Sequence, residues 1–371
     1  MKVLLINPWQ SDVFPSPSLG YLQATLKEAE VDVKARDLDE AMLEKDEYDL
    51  VAISFHSFSA KYAVLLRNKF SRSKMICGGH HPSALPQQML SIGYDQVVIG
   101  EGEKAIVDVI KGNTDKIIYG ESSNLNDIPF PDYTGLYTRL DWGLPIISSR
   151  GCPFDCTFCA SSDFWHRKWR MRSVDNVLDE IIESVVNNGY ARFMFEDDNF
   201  TMCKDRVIQI CNGLTTIGEL SWQCASRAET LMDDELCYNL RRAGCHTVWL
   251  GVESLSQDSL DRCSKRSTVG NMIAGINTAH KRGLRTLSQF IVGLPGDTRK
   301  DIDETVKNIR TYRIGSRGSN ILWILPNTEA HKKAKEKGFD DSMYLNGGNL
   351  FYTFEQNIKT LQLWTRLINA A

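Results

Sequence analysis

Residues 150–159 of this chain read RGCPFDCTFC. This stretch follows a predicted strand, its cysteines have the spacing Cys-x3-Cys-x2-Cys, and Gly151 and Pro153 mark it as a loop. Three thiolates so close together can bind three irons of a [4Fe–4S] cluster, which normally has four cysteine ligands. With three protein ligands, one iron stays open to a small molecule. We therefore predict a cluster bound by Cys152, Cys156 and Cys159.

The residues alone also allow a zinc ribbon or a chance group of buried thiols. A zinc ribbon needs a fourth ligand at similar spacing, and the nearest histidine, His166, lies seven residues beyond Cys159. A chance group of buried thiols fits poorly with a loop. The chain has ten cysteines, but it is long and shows no export signal, so we expect free thiols in a reducing cytoplasm rather than disulfides.

The composition limits the classes of function. The chain has 371 residues, is 42% hydrophobic and 24% charged, and has a formal net charge of −4. Such a chain can form a sizeable core, and it offers no basic field for nucleic acid or an anionic membrane surface. The N-terminal segment is not a signal peptide, and no run of about 18 apolar residues could span a membrane. We expect a cytoplasmic protein without a membrane partner, and a nucleic-acid partner is not favoured.

Upstream of the cysteine loop, strands alternate with helices. The predicted strands are apolar on both faces, which is typical of a parallel sheet covered by helices. They lie at 3–6, 31–35, 50–54, 74–77 and 96–99, with helices at 20–29 and 60–70. We predict a doubly wound, Rossmann-like domain over residues 1–125 and a linker over 126–144, where regular patterns weaken.

Downstream, six further strand patterns alternate with helical ones. The strands are predicted at 145–149, 191–196, 220–225, 247–252, 285–292 and 319–325. This repeat predicts a partial TIM-type (β/α)6 barrel over residues 145–335, with its chemistry on the loops that follow the strands. Residues 336–371 contain regularly spaced apolar side chains and are predicted to form a helical C-terminal cap.

The cysteine spacing and the aromatic Phe158 resemble those of the radical S-adenosylmethionine (SAM) enzymes. In that family the cluster follows the first barrel strand, and the amine and carboxylate of SAM chelate the open iron. Reductive cleavage of SAM then gives a 5′-deoxyadenosyl radical that abstracts hydrogen from substrate. The strand ends FEDDNF (195–200), SR (226–227), LGVES (250–254) and QFIVGLPGD (289–297) resemble the later motifs of the family in the same order.

By this resemblance, SAM contacts fall on residues at the ends of these strands. The resemblance implies Phe158, Glu196, Asp197, Asp198, Arg227, Glu253, Ser254, Gln289 and Val292. A cluster of carboxylates beside a cationic amine is physically sensible. The alternatives are a solvated loop for the acidic cluster, a surface position for Arg227, and a plain strand and turn at 289–297. The basic, aromatic segment at 165–172 either packs near the cofactor, binds an acidic substrate or stacks bases.

The N-terminal region resembles the cobalamin-binding domain found in one subclass of these enzymes. The matching segments are NP (7–8), PSLGYL (17–22), IS (53–54), GGHHPSALP (78–86) and GEGE (100–103). The resemblance implies cobalamin contacts at Ser54, His56, Gly78, Gly79, His81, Gly100, Glu101 and Gly102. Glycines at strand ends suit the close approach of a large ligand to the backbone.

The sequence departs from many cobalamin proteins in one respect. None of its seven histidines has an aspartate two residues before it, so the Asp-x-His-x-x-Gly signature is absent. His56, just past the third strand, could contact the lower face of the ligand instead. It could equally be a polar loop residue, and His80 and His81 could be turn residues.

The resemblance implies a function and leaves two rivals. The leading hypothesis is an enzyme that uses a [4Fe–4S] cluster, SAM and cobalamin to methylate an unreactive carbon. A radical rearrangement or isomerisation without methylation is the second, and a redox-sensing regulator is the third. The expected partners are a small-molecule, nucleoside or peptide substrate and an external one-electron reductant of the flavodoxin or ferredoxin type.

Overall fold

The protein is described by a computed structural model that covers residues 1–8, 15–136 and 143–371. It divides into two compact units, Met1–Pro145 with Asp340–Asn349, and Ile146–Phe339 with Leu350–Ala371. Each unit is built around its own sheet. The expected α/β fold is confirmed for both units.

The sheet of the first unit has six strands, and every pair of neighbours is parallel. Its order, β2-β1-β3-β4-β5-β6, places the first strand inside the sheet, as in a doubly wound fold. The strands are β1 Lys2–Asn7, β2 Asp32–Asp37, β3 Leu50–Ser54, β4 Lys74–Gly78, β5 Gln96–Gly100 and β6 Ile117–Gly120. The helices of this unit are Pro17–Glu28, Leu38–Leu43, Lys61–Lys69, His80–Ala84, Pro86–Ser91, Gly102–Ile110 and Met343–Asn346.

The predicted strands of this sheet are found within two residues of their expected ends, but β6 was not predicted. β6 pairs only with β5 at the edge of the sheet, so its side chains are not buried on both faces. Ile118 is buried, whereas Tyr119 is 75% exposed. A four-residue edge strand of this kind has too few apolar positions to stand out in the sequence.

The described part of the predicted linker is packed as part of the first unit. Leu136 belongs to the hydrophobic core of this unit. The Gln23 side chain donates hydrogen bonds to the carbonyl oxygens of Asp132 and Thr134, at 3.1 and 3.0 Å. Residues 137–142 of the predicted linker lie outside the described residues. The composition predicted a linker here. In the structure, side-chain hydrogen bonds fix its backbone, and one of them runs from the Tyr133 hydroxyl to the carbonyl of Pro145.

The main sheet of the second unit has the order β14-β13-β12-β11-β10-β7. Its strands are β7 Leu144–Ile146, β10 Arg192–Phe195, β11 Ser221–Arg227, β12 Cys245–Glu253, β13 Arg285–Val292 and β14 Arg317–Ile321. Two short antiparallel strands, β8 Ser149–Arg150 and β9 Arg170–Met171, form a separate pair. Six strands in sequential order, with helices between them, are the predicted partial (β/α)6 barrel.

The helices of the second unit follow its strands. They are Ala160–Phe164, Val174–Asn188, Lys204–Ile217, Asp234–Arg242, Gln257–Arg262, Val269–Lys281, Arg299–Tyr312, Glu329–Glu336 and Ile358–Ala370. Within the part of the chain that the structure describes, no helix combines the length and apolar character needed to cross a membrane.

The segment predicted as a cap, 336–371, is divided between the two units in this structure. Tyr344 is 1% exposed, and its ring packs edge-on against His81 in the first unit. In contrast, Leu361, Trp364 and Ile368 belong to the core of the second unit. The sequence showed the apolar side chains of this tail but not which of two cores would bury each one.

Candidate functional site

The cysteine loop begins at the pair of short strands β8 and β9. Gly151 has a φ of +92°, a left-handed conformation that side chains disfavour, and a Cβ there would overlap the carbonyl oxygen of Lys168. Glycine is therefore required where the loop leaves β8. The N–H of Cys159 donates to the carbonyl of Cys156 at 3.1 Å, so the loop turns tightly between these two thiols.

Backbone contacts fix the middle of the loop from two sides. The N–H of Thr157 donates to the carbonyl of Cys263 at 3.0 Å, and the carbonyl of Thr157 accepts from the N–H of Ala330 at 3.1 Å. The thiols of Cys152, Cys156 and Cys159 are free and half-buried. The loop is thus held by its backbone, which leaves the thiols available as ligands.

The donor set fits an iron–sulfur cluster. Desolvation raises the pKa of all three thiols, and that of Cys159 to about 11, so a bound cation would be needed to hold them as thiolates. Across residues 1–8, 15–136 and 143–371, no three His, Cys, Asp or Glu side chains gather around one point as a single metal ion requires. In a cluster each cysteine binds a different iron, and three thiols spread along one loop suit that arrangement.

The three carboxylates after β10 have different environments. Asp197 is buried and accepts hydrogen bonds from the N–H and Oγ of Ser148, at 2.7 and 2.6 Å, and from Oγ of Ser149 at 2.5 Å. Arg206, also buried, donates to the carbonyl of Ser148 at 2.8 Å. Asp197 therefore holds the strand that leads into the cysteine loop. Both its carboxylate oxygens accept hydrogen bonds from serines in this structure, and its predicted contact with SAM stays a prediction.

Glu196 and Asp198, on either side of Asp197, are accessible to solvent. Surrounding protein atoms nevertheless desolvate the Glu196 carboxyl and raise its pKa to about 7, and the charge of Asp197 adds to this shift. Asp198 accepts a hydrogen bond from Oγ of Ser161 at 2.6 Å, next to the cysteine loop. A cationic partner stabilises an accessible carboxylate whose pKa is raised by desolvation, so these two residues fit the predicted contact with an amine.

Arg227 does not face solvent as a cofactor-binding arginine would. It is 6% exposed, its guanidinium lies 3.9 Å from the centre of the Phe154 ring, and its Nε donates to Glu229 at 2.5 Å. It also donates to the carbonyl of Lys265. Its donors are directed to Glu229 and to the carbonyl of Lys265 in this structure, and the contact of Arg227 with SAM stays a prediction.

Glu253 and Ser254, at the end of β12, are also buried. Glu253 has a φ of +64° and accepts from Nζ of Lys265 at 2.9 Å. Ser254 Oγ lies 3.1 Å from Oγ1 of Thr305 and accepts from the N–H of Ser256. Both predicted SAM contacts are thus occupied by internal partners in this structure.

Three remaining predicted SAM contacts differ in exposure. Phe158 and Gln289 are half-buried, so their side chains are available to a ligand. Val292 is fully buried in the core of the second unit, where only its backbone could contribute.

Three residues around the cysteine loop were not predicted from the sequence. Lys265 donates to Glu253, Arg206 donates to the carbonyl of Ser148, and Ser148 donates to Asp197. A lone charged or hydroxyl residue carries no local signal of such a role, because its partners are distant in the chain. Only the tertiary structure brings them to the loop.

The predicted cobalamin contacts of the first unit lie at the carboxyl ends of β3, β4 and β5. Gly79 has a φ of +94°, and a Cβ there would come within 2.8 Å of the Phe55 carbonyl oxygen, so the loops after β3 and β4 meet closely. Ser54, Gly78 and Gly79 are half-buried, and His56 is exposed. These are accessible polar and backbone atoms at the edge where ligands of such sheets bind.

His56 and His80 form a pair of imidazoles at this edge, with ring centres 4.8 Å apart. Surrounding protein desolvates both rings and lowers their pKa values, that of His80 to about 3 with a contribution from His56. Both rings are therefore neutral at pH 7, the state in which imidazole binds metals.

His81 is an internal residue in this structure, and its predicted contact with cobalamin stays a prediction. It is fully buried, its Nδ1 lies 3.0 Å from Oγ of Ser57, and its Nε2 lies 3.0 Å from Oε1 of Gln88. Gln88 in turn donates to the carbonyl of Asp341 at 2.7 Å. No ring nitrogen of His81 is left for a ligand.

The third predicted group follows β5. Gly100 has a φ of +87°, and its N–H donates to Oγ of Ser83 at 3.1 Å. Gly100 and Gly102 are half-buried, and Glu101 is buried. The Glu101 backbone lies so close to Gly120 that a Cβ on Gly120 would overlap the Glu101 carbonyl oxygen. The glycines are accessible to a ligand, whereas the Glu101 side chain is mainly internal.

Two family models match this chain. The radical SAM superfamily model matches residues 146–309, and the B12 binding domain model matches residues 11–110. An uncharacterized methyltransferase of Pyrococcus horikoshii is 32% identical over 88% of this chain and 82% of its own length. This chain belongs to the radical SAM superfamily. The predicted combination of a cluster-and-SAM domain with a cobalamin-binding domain is confirmed.

Other relatives of this radical SAM protein carry out more than one reaction. The bacteriochlorophyllide d C-12(1)-methyltransferase of Chlorobaculum tepidum is 27% identical over 78% of this chain and 66% of its own length. The anaerobic magnesium-protoporphyrin IX monomethyl ester cyclase of Cereibacter sphaeroides is 27% identical over 62% of this chain, which spans 44% of the cyclase. Radical SAM enzymes act on a substrate and need a reductant, and both requirements apply to this chain.

Solved structures share the fold of this radical SAM protein. The methyltransferase TsrM of Kitasatospora setae has a TM-score of 0.73 at 17% identity, over 90% of this chain and 76% of TsrM. The cobalamin-dependent enzyme OxsB has a TM-score of 0.68 at 19% identity, over 97% of this chain and 57% of OxsB. At these identities the likeness concerns the fold, and it extends over both units of the chain.

Proposed function

We propose that this protein is a cobalamin-dependent radical SAM enzyme that transfers a methyl group to an unreactive carbon of its substrate. The observation that carries the proposal is the joint match of both domain models in a chain 32% identical to a methyltransferase relative. The half-buried thiols of Cys152, Cys156 and Cys159 support it, because they give the chain a cluster-binding loop.

In this proposal the residues of the second unit bind and orient SAM. The cluster and SAM supply a carbon-centred radical when bound, and cobalamin supplies the methyl carrier. Cys152, Cys156 and Cys159 hold three irons and leave one open. Glu196 and Asp198 bind the cationic amine, while Phe158 and Gln289 contact the remainder of SAM.

The proposed cobalamin contacts are the accessible strand-end residues of the first unit. Ser54, Gly78, Gly79, Gly100 and Gly102 approach the ligand through backbone and hydroxyl groups. His56 would offer a neutral imidazole to the bound ligand. Glu101 supports this edge through its backbone.

Several finer points belong to the same proposal. The substrate is a small molecule, a nucleoside or a peptide, and the external reductant is a one-electron protein of the flavodoxin or ferredoxin type. We also propose a cytoplasmic location, where free thiols persist. Residues 1–125, 145–335 and 336–371 correspond to the proposed cobalamin domain, barrel and cap, with the cap shared between the units as described above.

A second candidate is a radical rearrangement or ring closure without methyl transfer. The cyclase relative, 27% identical over 62% of this chain, favours it, because the name of that protein describes a ring closure and no methyl transfer. The missing Asp-x-His-x-x-Gly signature is also compatible with a cobalamin domain that carries no methyl group.

Isotope labelling distinguishes these candidates. The full chain is reconstituted anaerobically with iron, sulfide and cobalamin, then supplied with a chemical reductant, SAM carrying a CD3 methyl group, and a small-molecule extract of the source cells. We expect CD3 in a product detected by mass spectrometry. Formation of 5′-deoxyadenosine with altered products but no CD3 would overturn methyl transfer in favour of rearrangement. An intact cluster without SAM cleavage would overturn the enzyme proposal in favour of a sensor.

The matched control for this experiment is Cys203→Ala. Cys203 is a half-buried free thiol outside the cysteine loop, so its removal tests for nonspecific effects of losing a thiol. We expect this variant to incorporate CD3 like the unmodified chain, whereas Cys156→Ala incorporates none.

A further inference from the structure

Two exposed arginines from distant segments of the second unit meet at the cysteine loop. Asp155 lies in this loop, between Cys152 and Cys156. Its Oδ2 accepts a hydrogen bond from Arg266 at 2.5 Å and lies 3.7 Å from Nη1 of Arg167. The side chains of Arg167 and Arg266 are 64% and 62% exposed, whereas that of Asp155 is 19% exposed. Each arginine therefore contacts the loop and keeps most of its side chain open to solvent.

Unusual backbone conformations place these arginines beside the loop. His166 and Arg167 have φ values of +51° and +55°, and Arg266 has a φ of +51°. Non-glycine residues seldom adopt this left-handed conformation, which persists only where surrounding contacts impose it. Lys168, the residue after Arg167, is exposed, and its carbonyl lies so close to Gly151 that a Cβ on Gly151 would overlap it. We call Arg167, Lys168 and Arg266 the basic patch.

Neighbouring acids offset the charge of the basic patch only in part. Asp155 is one carboxylate beside three cations. Asp163, on the adjacent helix, acts on a different cation: a hydrogen bond from Lys332 to Glu329 raises the pKa of Lys332, and the charge of Asp163 adds to this shift. The whole chain has a formal net charge of −4, so the patch is a local excess of the opposite sign. An acidic protein is therefore attracted to this patch although the chain as a whole repels it.

The geometry favours a protein partner over a nucleic acid or a small acidic substrate. Small ligands are usually enclosed in concave pockets, whereas the side chains of the basic patch are exposed. Single-stranded nucleic acids need aromatic rings on which bases stack. The ring of Trp165 already packs edge-on against Phe164, with ring centres 4.7 Å apart, and the Arg170 guanidinium lies 5.8 Å from its centre.

We propose that the basic patch is the docking surface for an acidic one-electron carrier protein of the flavodoxin or ferredoxin type. A carrier on this patch lies next to the loop that holds the cluster, because Asp155 joins the patch to that loop. One electron passes from the reduced carrier, which is oxidised, to the cluster, which is reduced, and no bond forms or breaks. Such carriers bind through small, weak interfaces, for which complementary charge supplies orientation and speed. The inference rests on the proposed external reductant and not on methyl transfer.

Binding of a purified acidic flavodoxin to the reconstituted full chain, measured by calorimetry at low salt, tests the proposal. We expect the double variant Arg167→Gln, Lys168→Gln to raise the Kd about tenfold, because it removes two of the three cations. Asp155→Asn removes the opposing charge and should lower the Kd. Should the double variant fail to load iron, Lys168→Gln alone leaves both arginine pairs with Asp155 in place and should raise the Kd about threefold. The affinity should also fall as salt screens the charges, with a Debye length of about 10 Å at 0.1 M.

The matched control is Arg285→Gln. Arg285 is an exposed arginine of the same unit, but it begins β13 and so lies at the opposite end of the sheet from the loops that follow the strands. We expect its Kd for flavodoxin to stay within twofold of that of the unmodified chain.

The rate of cluster reduction, followed by stopped-flow absorbance, separates docking from damage to the cluster. We expect the double variant to be reduced about tenfold more slowly by subsaturating reduced flavodoxin, but not more slowly by reduced methyl viologen, a small cation. Equal slowing by both reductants, an unchanged Kd in every variant, or an equal loss in Arg285→Gln would overturn the proposal. Weakened binding of a single-stranded RNA with unchanged reduction by flavodoxin would overturn it in favour of nucleic acid. SAM and a methyl acceptor are absent, so this result and the CD3 result can fail separately.

Discussion

Asp197 accepts two hydrogen bonds from Ser148, one from its N–H at 2.7 Å and one from its Oγ at 2.6 Å. This pair joins the end of β10 to the segment that leads into the cysteine loop. We expect Asp197→Asn to lower the free energy of unfolding by about 1–3 kcal/mol, because a buried carboxylate and its donors lose charge-assisted bonds. Chemical denaturation of the cluster-free protein measures this. A loss below about 0.5 kcal/mol would contradict the internal role.

The neighbouring Glu196 and Asp198 are expected to behave in the opposite way. Both are accessible. We expect neither Glu196→Gln nor Asp198→Asn to lower the free energy of unfolding, because both side chains are exposed and desolvation disfavours their charged forms. Each should weaken SAM binding to the reconstituted protein about tenfold, measured by calorimetry, because each loses a charge-assisted contact with the amine. Unchanged affinity in both variants would place the amine of SAM elsewhere.

The start of the cysteine loop gives a prediction with a matched control. Gly151→Ala combines a left-handed φ with overlap on the Lys168 carbonyl, whereas Gly112 has a φ of +103° and nothing near a new Cβ. We expect Gly112→Ala to cost about 1 kcal/mol of stability and to leave cluster loading unchanged. Gly151→Ala should reduce the iron bound after reconstitution to less than half. Equal iron content in the two variants would contradict a backbone requirement at Gly151.

His81 predicts a pH dependence of stability in the first unit. Burial lowers the pKa of this histidine to about 4 from an ordinary value of 6.5. Between these values the unfolded chain binds a proton that the folded chain does not, so stability falls as the pH decreases through this window. At pH 5 the loss attributable to His81 is roughly 2 kcal/mol relative to pH 7.

The measurement for His81 is denaturant unfolding at pH 7 and pH 5, followed for the unmodified chain and for His81→Gln. His80 also titrates below its ordinary range, but it is present in both proteins and cancels in the comparison. We expect the variant to lose about 2 kcal/mol less than the unmodified chain between the two pH values. Identical pH dependence would mean that His81 is accessible to protons in the folded state.

Much of the fold could be predicted because its signals are local. Strands β3 and β13 were predicted with the bounds that the structure shows, since runs of apolar residues flanked by turns specify buried parallel strands. Edge strand β6 and the division of the C-terminal tail were missed. Both depend on which neighbouring surface buries a few side chains, and a single sequence does not carry that information.

The site was predictable in its ligands but only partly in its surroundings. The spacing of Cys152, Cys156 and Cys159 lies in one loop, so the sequence displays it directly. Asp197, Arg227 and His81 are polar residues at the expected strand ends, yet their side chains bond to groups far away in the chain. Whether a strand-end side chain faces a ligand or the protein is decided by tertiary partners such as Ser148, Lys265 and Gln88.

We propose that the cysteine loop holds a cluster that cleaves SAM. The most direct test is the formation of 5′-deoxyadenosine by the anaerobically reconstituted chain with SAM and a chemical reductant, compared with Cys156→Ala and the control Cys203→Ala. We predict 5′-deoxyadenosine from the unmodified chain and from Cys203→Ala, and none from Cys156→Ala. Equal formation by Cys156→Ala, or none by an unmodified chain with a full cluster, would contradict this claim.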